Sequence, residues 1–392
     1  YDTTAVSGSK IQLSISAKLQ KYGEKLMQNK KGSIVAIDPK TGEVLALVTM
    51  PSYDPNLLVG RARSKNYQAL SKDTLKPLFN RALMAKYPPG STFKSINALI
   101  GLQEKTLTPN TFYSCNRGYS FGGRKMGCHP HKSPINLEFS IQTSCNAYYC
   151  NVFSRIIDKF PTTEEGYLTW RKYVTSFGLG KKTGLDLPNE LSGFVPGADY
   201  YDRYYLKGKW KSSTILSLAI GQGELGFTPM QMANMTATIA NRGYYYTPHI
   251  AKSINDLPVE KLDSFILKNE TGIEAKYFNE VVEAMFQVVE KGTGTSAKID
   301  SLQVCGKTGT VQNPHGDDHS TFIAFAPKDN PQIAISVYVE NGYWGSRWAA
   351  PIAGLIIEKY LRDTITRPHI EKRMLDGNLI GNTQPNGSHA GE

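Results

Sequence analysis

Apolar positions recur in this chain with two rhythms, close to period two towards both ends and close to 3.6 through the middle. Residues 32–38 and 43–49 are short apolar runs joined by Pro39-Lys-Thr-Gly42, a pattern that predicts a β-hairpin. Residues 303–306, 321–326 and 333–339 read as further strands near the other end. Ahead of the hairpin, Ile11, Leu13, Ile15, Leu19 and Leu26 predict a strand and then an amphipathic helix over 11–27. In the middle, a mostly apolar helix over 93–102 starts behind Gly90 and Ser91, and residues 137–157 read as helix with apolar positions on several faces. The turn 221–226 leads to Thr228-Pro229, a helix start with proline at its first position, and the helix runs over 230–239. Residues 351–361 predict a closing helix. Residues 51–56 read as a loop, and 105–135, rich in Gly, Pro, Cys and His, as irregular. From Asp376 the chain has the composition of a disordered tail. No internal repeat is present. The expected class is α+β, with an antiparallel sheet built from both ends of the chain and helices from its middle.

Composition narrows this picture only slightly. The 392 residues suffice for one large or two average domains, and 40% hydrophobic with 20% charged residues is ordinary for a globular protein. A formal charge of +11 suits an acidic surface, yet Lys and Arg are scattered among Tyr and Asp without a basic run. A basic surface is therefore favoured over nucleic-acid binding, and no nucleic-acid partner is expected. No stretch reaches the ~18 consecutive apolar residues of a membrane helix. Tyr1-Asp2-Thr3-Thr4 opens without the basic and apolar regions of a signal peptide. The five cysteines are too few for a disulfide scaffold, but Cys115, Cys128, Cys145 and Cys150 crowd together, with Cys305 apart.

Candidate chemistry lies in three short motifs. Ser91-Thr-Phe-Lys94 follows the turn Tyr87-Pro-Pro-Gly90, Ser144-Cys145-Asn146 lies downstream, and Lys307-Thr308-Gly309-Thr310 lies beyond that. In this order they form the S-x-x-K, S-x-N and K-T-G set of penicillin-binding proteins and serine β-lactamases. Each alone has a bland explanation: serines cap helices and lysines are solvated. Together they favour catalysis. Residues three apart on a helix share a face, so Ser91 and Lys94 are expected to touch. A serine hydroxyl needs a base, and Lys94 serves as one if burial and a second cation, Lys307, depress its pKa. Ser144 is placed to relay a proton, and Asn146 to hold a substrate amide. The Lys307 motif reads as the end of a strand. There Gly309 lets a substrate backbone lie along the edge, and the hydroxyls of Thr308 and Thr310 can take a terminal carboxylate. The N–H groups of Ser91 and Thr310 are the candidate oxyanion hole.

Several longer phrases resemble the transpeptidase domain of class B penicillin-binding proteins over residues 31–362. They are Gly32-Ser-Ile-Val-Ala-Ile-Asp-Pro39, Met50-Pro-Ser-Tyr-Asp-Pro-Asn56, Tyr87-Pro-Pro-Gly-Ser-Thr-Phe-Lys94, Ile220-Gly-Gln-Gly223, Thr228-Pro229 and Ala326-Pro327. Within that class the chain is most similar to the elongation-specific penicillin-binding proteins 2 of rod-shaped bacteria. The resemblance implies the penicillin-binding and serine β-lactamase-like fold, an antiparallel sheet flanked by helices plus an all-helical subdomain, with the site between. It implies one transpeptidase domain over 1–375 and a tail over 376–392. The family's N-terminal membrane anchor and pedestal domain are expected to be absent from this chain. It also implies D-Ala-D-Ala transpeptidation through a Ser91 acyl-enzyme, with no cofactor for catalysis and with inhibition by β-lactams. Stem peptides and a membrane glycosyltransferase of the elongation complex are the implied partners, at a bacterial inner membrane with the catalytic domain in the periplasm.

Cys115, Cys128, His131 and Cys145 offer a four-ligand set of a kind structural zinc favours, with His129 and Cys150 as spares. Their spacing is irregular, and a Cys115–Cys128 disulfide or buried thiols remain alternatives. Some penicillin-binding proteins 2 carry a structural zinc between the first two motifs, one ligand being the middle residue of S-x-N, here Cys145. This chain has Cys115 and Cys128 where that pattern has carboxylates, and thiolates are the better zinc ligands. Cys305 reads as a core thiol. His315 and His319 suit either the cleft border or a polar turn, and Arg347 and Trp348 suit the rim near an acceptor. The rival readings are a division-specific transpeptidase, a β-lactamase or DD-carboxypeptidase, a β-lactam sensor domain, and a cell-wall scaffold without catalysis. No extra glutamate for deacylation is evident, and the motif side chains are intact.

Overall fold

A five-stranded antiparallel sheet joins the two ends of the chain in the computed structural model, which describes residues 4–258 and 263–381. In chain order the elements used below are β1 (Ile11–Leu13), α1 (Ala17–Met27), β2 (Gly32–Ile37), β3 (Val44–Met50), α2 (Lys94–Gln103), β4 (Gly118–Phe121) and β5 (Arg124–Gly127). There follow α3 (Leu137–Gln142), α4 (Asn146–Asp158), α5 (Thr163–Ser176), α6 (Pro229–Ala240), β6 (Ala251–Ile254) and α7 (Ala275–Lys291). The last are β7 (Cys305–Val311), β8 (His319–Ala326), β9 (Ile333–Val339), α8 (Ala349–Arg362) and α9 (Pro368–Asp376). The sheet order is β7-β8-β9-β2-β3, so the predicted hairpin pairs with the C-terminal strands through β2 and β9, with Ile34 opposite Val337. β7, which carries the Lys307 motif, is an edge strand.

Helices cover both faces of the sheet, which is why its strands read as nearly unbroken apolar runs. On one face Ile34, Ala36, Ala324, Ile335 and Val337 pack against Leu19 and Leu26 of α1 and Ile352 and Ile356 of α8. On the other, Ile323 and Phe325 join a helical core of α2, α4, α5 and α7, while Val35 and Ile37 meet Met230 and Ala233 of α6. Every residue of α6 is buried, and its start is the predicted one. Gln231 N–H donates to Thr228 Oγ1 at 3.2 Å, Thr228 N–H donates to Gln231 Oε1 at 3.0 Å, and Pro229 fills the first turn.

The structure departs from the sequence reading in three places. The helix expected over 137–157 is two helices, because Ser144 takes a left-handed φ of +58° between them. Asn136 caps α3, and the Cys145 sulfur caps α4 by accepting Tyr148 N–H at 3.4 Å. The segment expected to be irregular contains the hairpin β4–β5, whose Tyr119, Phe121 and Met126 pack on the helical core. Of the tail, Asp376 closes α9, and Lys30 Nζ, fully buried, donates to Met374 O at 2.7 Å and Gly377 O at 3.0 Å. Residues 382–392 lie outside the described residues.

Candidate active site

Ser91 sits in a 3₁₀ turn, Gly90–Phe93, that runs directly into α2. The turn ahead of it is held from two sides. Tyr87 and Phe227 exchange backbone hydrogen bonds of 3.0 and 2.8 Å. The Tyr87 hydroxyl donates to Glu340 Oε1 at 2.7 Å, and Arg81 Nε reaches the same oxygen at 3.0 Å. Gly90 N–H donates to Gly221 O at 2.8 Å, so the glycine turn after residue 220 fixes the chain one residue before Ser91. Gly90 has φ +57°, and a Cβ there would lie 2.9 Å from Val311 Cγ2, so only glycine lets β7 come this close. Behind Ser91, α2 is buried from Lys94 to Leu102. Burial of each Ile or Leu there contributes about 1.5–3 kcal/mol. Asn97 locks the helix in place by accepting Trp170 Nε1–H at 2.8 Å and donating to Ala219 O at 2.9 Å.

The burial of α2 takes Lys94 with it. Its ammonium donates to Ser144 O at 2.6 Å, Ser144 Oγ at 3.2 Å and Asn146 Oδ1 at 2.5 Å. These three bonds use all three ammonium donors. None of them goes to Ser91, the neighbour expected three residues before it. Burial lowers the Lys94 pKa to about 8, against an upward pull from the sulfurs of Cys128, Cys145 and Cys150. Lys307 is also fully buried, donating to Thr308 O at 3.1 Å, and burial first and the Lys94 charge second push its pKa well down. Both ammonium groups are thus pushed towards the neutral form.

Asn146 spends both ends of its amide. Oδ1 accepts from Lys94, and Nδ2 donates to Gly127 O at 2.7 Å. On β7, the Thr308 and Thr293 hydroxyls lie 2.6 Å apart, and Gln222 Nε2 donates to Thr310 O at 3.4 Å. Lys307-Thr308-Gly309-Thr310 lies within β7, which ends one residue later at Val311. A Cβ on Gly309 would lie 2.5 Å from Thr321 Cγ2 and 3.1 Å from Thr92 Cγ2. Thr293, Gln222 and Gly127 escaped the sequence reading. The signals available for them were the Gly292-Thr293-Gly294-Thr295 repeat and the polar residue within Gly221-Gln-Gly223.

Cys115, Cys128, His131 and Cys145 converge, their ligand atoms all within 4.8 Å of one another. His131 Nδ1 lies 2.7 Å from Lys132 O, an acceptor, so Nδ1 carries a proton, and Nε2 lies 3.4 Å from Cys128 Sγ. Cys128 Sγ accepts Asn146 N–H at 3.3 Å. A hydrogen bond from Cys145 leads in lowering the Cys128 pKa to about 4, and the same contact and burial push Cys145 up. Tetrahedral zinc with ~2.3 Å bonds to sulfur needs ligand atoms about 3.8 Å apart, and this soft donor set fits that span. All five cysteines are free thiols, so the alternative disulfide is not formed. The spare candidates fall outside the cluster: Cys150 is buried with its thiol on Met126, and His129 is exposed. Cys305 is buried in the helical core.

Of the remaining candidates, His315 is exposed in the turn before β8. His319 begins β8 with its ring centroid 6.2 Å from that of Tyr87, and burial lowers its pKa. Arg347 stacks over Tyr343 at 4.7 Å. Trp348 is not a rim residue. It is buried beside α8 with Lys30 Nζ 5.3 Å from its ring, because its side chain fills the core between α8 and the C-terminal segment.

A serine turn, two buried lysines and an edge strand between a sheet and a helical subdomain define the fold of penicillin-recognising serine enzymes. Residues 32–358 match the penicillin binding protein transpeptidase domain, and the chain belongs to that family. It is 32% identical over 384 residues to the peptidoglycan D,D-transpeptidase MrdA of Acinetobacter baumannii, covering 90% of this chain and 54% of that protein. The chain thus spans little more than half the length of this curated relative. A crystal structure of Pseudomonas aeruginosa PBP2 in complex with WCK 5153 superposes with a TM-score of 0.81 at 34% identity, covering 91% of this chain and 77% of that one. A chain of a peptidoglycan synthase complex, solved for the coordination of polymerization and crosslinking, gives 0.80 at 30% identity, covering 92% and 64%. These relatives agree with the sequence resemblance to penicillin-binding protein 2.

The fit of β7 against the serine turn has a direct test. Gly309→Ala puts a methyl between Thr321 and Thr92 and is expected to destabilise the fold by about 1–3 kcal/mol. The shift in urea midpoint at constant slope measures it.

Proposed function

We propose that this chain is the catalytic domain of a peptidoglycan D,D-transpeptidase that cross-links stem peptides during cell-wall elongation. The observation that carries the reading is the fully buried Lys94, one helical turn from Ser91 and bonded to Ser144 and Asn146. Ser91 Oγ attacks the carbonyl carbon of the penultimate D-Ala, and its proton passes to neutral Lys94. The oxyanion is held by the N–H groups of Ser91 and Thr310. The C–N bond then breaks, and the terminal D-Ala leaves as an amine after receiving the proton through Ser144. An amine from a second stem peptide attacks the Ser91 ester, surrenders its proton by the same route and releases the serine. Lys307 supports the substrate carboxylate together with Thr308 and Thr310, along the edge that Gly309 leaves open. A β-lactam acylates Ser91 in the same way, but its leaving amine stays tethered and blocks the acceptor.

Zinc is read as a structural ion held by Cys115, Cys128, His131 and Cys145. When bound it supplies charge neutralisation to the thiolates and no step of the reaction. The chain's own residues link that cluster to the site, since Asn146 N–H is on Cys128 and Asn146 Oδ1 is on Lys94. The elongation role is favoured over a division role by the MrdA and PBP2 relatives. A membrane glycosyltransferase partner is supported by the relative solved within a synthase complex. Among the described residues no helix is long and apolar enough to cross a membrane. Placement at the inner membrane with this domain in the periplasm rests on the family resemblance.

Three outcomes test this reading. Intact-mass spectrometry after brief exposure to benzylpenicillin should show one stable adduct that Ser91→Ala abolishes. Rapid loss of the adduct with hydrolysed drug would instead mark a β-lactamase. Because Lys94 must be neutral to accept the proton and its pKa is lowered to about 8, the acylation rate should rise with pH and level off above that value. A flat profile between pH 6 and 9 would remove Lys94 as the base. Metal analysis of protein purified without chelator should give about one zinc per chain. Cys128→Ser should lose the metal and lower the unfolding midpoint by roughly 5 °C.

A further inference from the structure

Positive charge on this chain is concentrated by the absence of acids rather than by a basic run. Between Glu104 and Glu138 there is no Asp or Glu, while Lys105, Arg117, Arg124, Lys125 and Lys132 all fall there. Those five cations stand against a formal net charge of +11 for the whole chain. Four of them, Arg117, Arg124, Lys125 and Lys132, lie on or beside the β4–β5 hairpin, and all four are exposed. None forms an ion pair among the described residues. Beside the hairpin opens a cavity of about 200 Å³ lined by Cys115, Arg117, His129, Pro130 and His131. Cys115 and His131 belong to the cysteine cluster. Arg117 and His129 do not, and their side chains have no hydrogen bond among the described residues. Arg117 is tied down only through its backbone, whose carbonyl accepts Cys128 N–H at 3.2 Å.

This cavity adjoins the candidate site through one short stretch of chain. Gly127 O accepts from Asn146 Nδ2 at 2.7 Å, and Cys128 Sγ accepts from Asn146 N–H. The end of the hairpin thus lies one hydrogen bond from Asn146, beside the candidate site. We propose that the cavity binds a carboxylate of the stem peptide, with the Arg117 guanidinium as its paired donor and His129 as a second. A planar guanidinium matches a carboxylate with two parallel N–H···O bonds. This assignment rests on the acylation of Ser91 proposed above and names a specificity determinant for it.

A matched pair of penicillins tests it, 6-aminopenicillanic acid acylated with glutarate and with its amide, glutaramate. They differ only in whether the side chain ends in a charge. The ratio of their Ser91 acylation rates, charged over neutral, is read by intact mass in the wild-type chain and in Arg117→Gln and Arg117→Lys. Arg117→Gln should lower the ratio about threefold or more, Arg117→Lys by less, and added salt should shrink the wild-type ratio. A ratio unchanged by Arg117→Gln, including the case where both rates fall together, overturns the carboxylate site. Acylation of the wild type by neither compound would overturn the Ser91 reading itself, and the site with it.

Discussion

The candidate site depends on one costly act, the complete burial of the Lys94 ammonium. Taking a charge out of water is tolerable only where every donor is satisfied, and here Ser144 and Asn146 supply all three acceptors. Those acceptors face Lys94 because the chain breaks its helix at Ser144, whose left-handed backbone turns both its carbonyl and its hydroxyl inward. The break is held by capping through the Cys145 sulfur and by the bond from Asn146 N–H to Cys128. The cysteine cluster and the buried lysine are therefore two ends of one network, with Asn146 as the shared member. A single side chain couples the fold's polar loop to its apolar helix.

On the sheet side a second constraint operates, one of clearance. β7 can approach the serine turn because Gly90 and Gly309 offer hydrogen where any other residue would offer a methyl. Gly221 and Gln222 reach across to Gly90 N–H and Thr310 O, so a third segment spans the gap between helix and edge. The cleft is thus framed by backbone groups whose positions follow from glycine placement, with two buried lysines beside them.

Much of this was legible in the residues. The strands at both ends, the helix behind Ser91 and the Thr228-Pro229 start are local signals, written in short apolar periods and a capping box. The meeting of Lys94 with Ser144 and Asn146 was legible in outline, because both motifs stand out in the residues. The break at Ser144 was not, since its left-handed backbone goes with tertiary bonds to Lys94 that local spacing does not record. The β4–β5 hairpin was hidden because its glycines and charges read as loop, and its apolar side chains count only once a core is there to receive them. Trp348 was misplaced for a similar reason: an aromatic beside an arginine looks like rim until Lys30 and the C-terminal segment close over it. That both lysines are fully buried is set by tertiary packing, and spacing carries no trace of it.

The pairing of Ile34 with Val337 sets the sequence in which this molecule can come together. β2 is made early in synthesis and its partner β9 near the end, so the hairpin waits for a strand about 300 residues away while the helical subdomain already has all its parts. The edge carrying Lys307 can be laid down only once β8 and β9 are in place. A nascent or prematurely terminated chain thus holds the serine turn and the cysteine loop without the strand that completes the cleft. The edge that frames the cleft is therefore the last part of the sheet that can be completed.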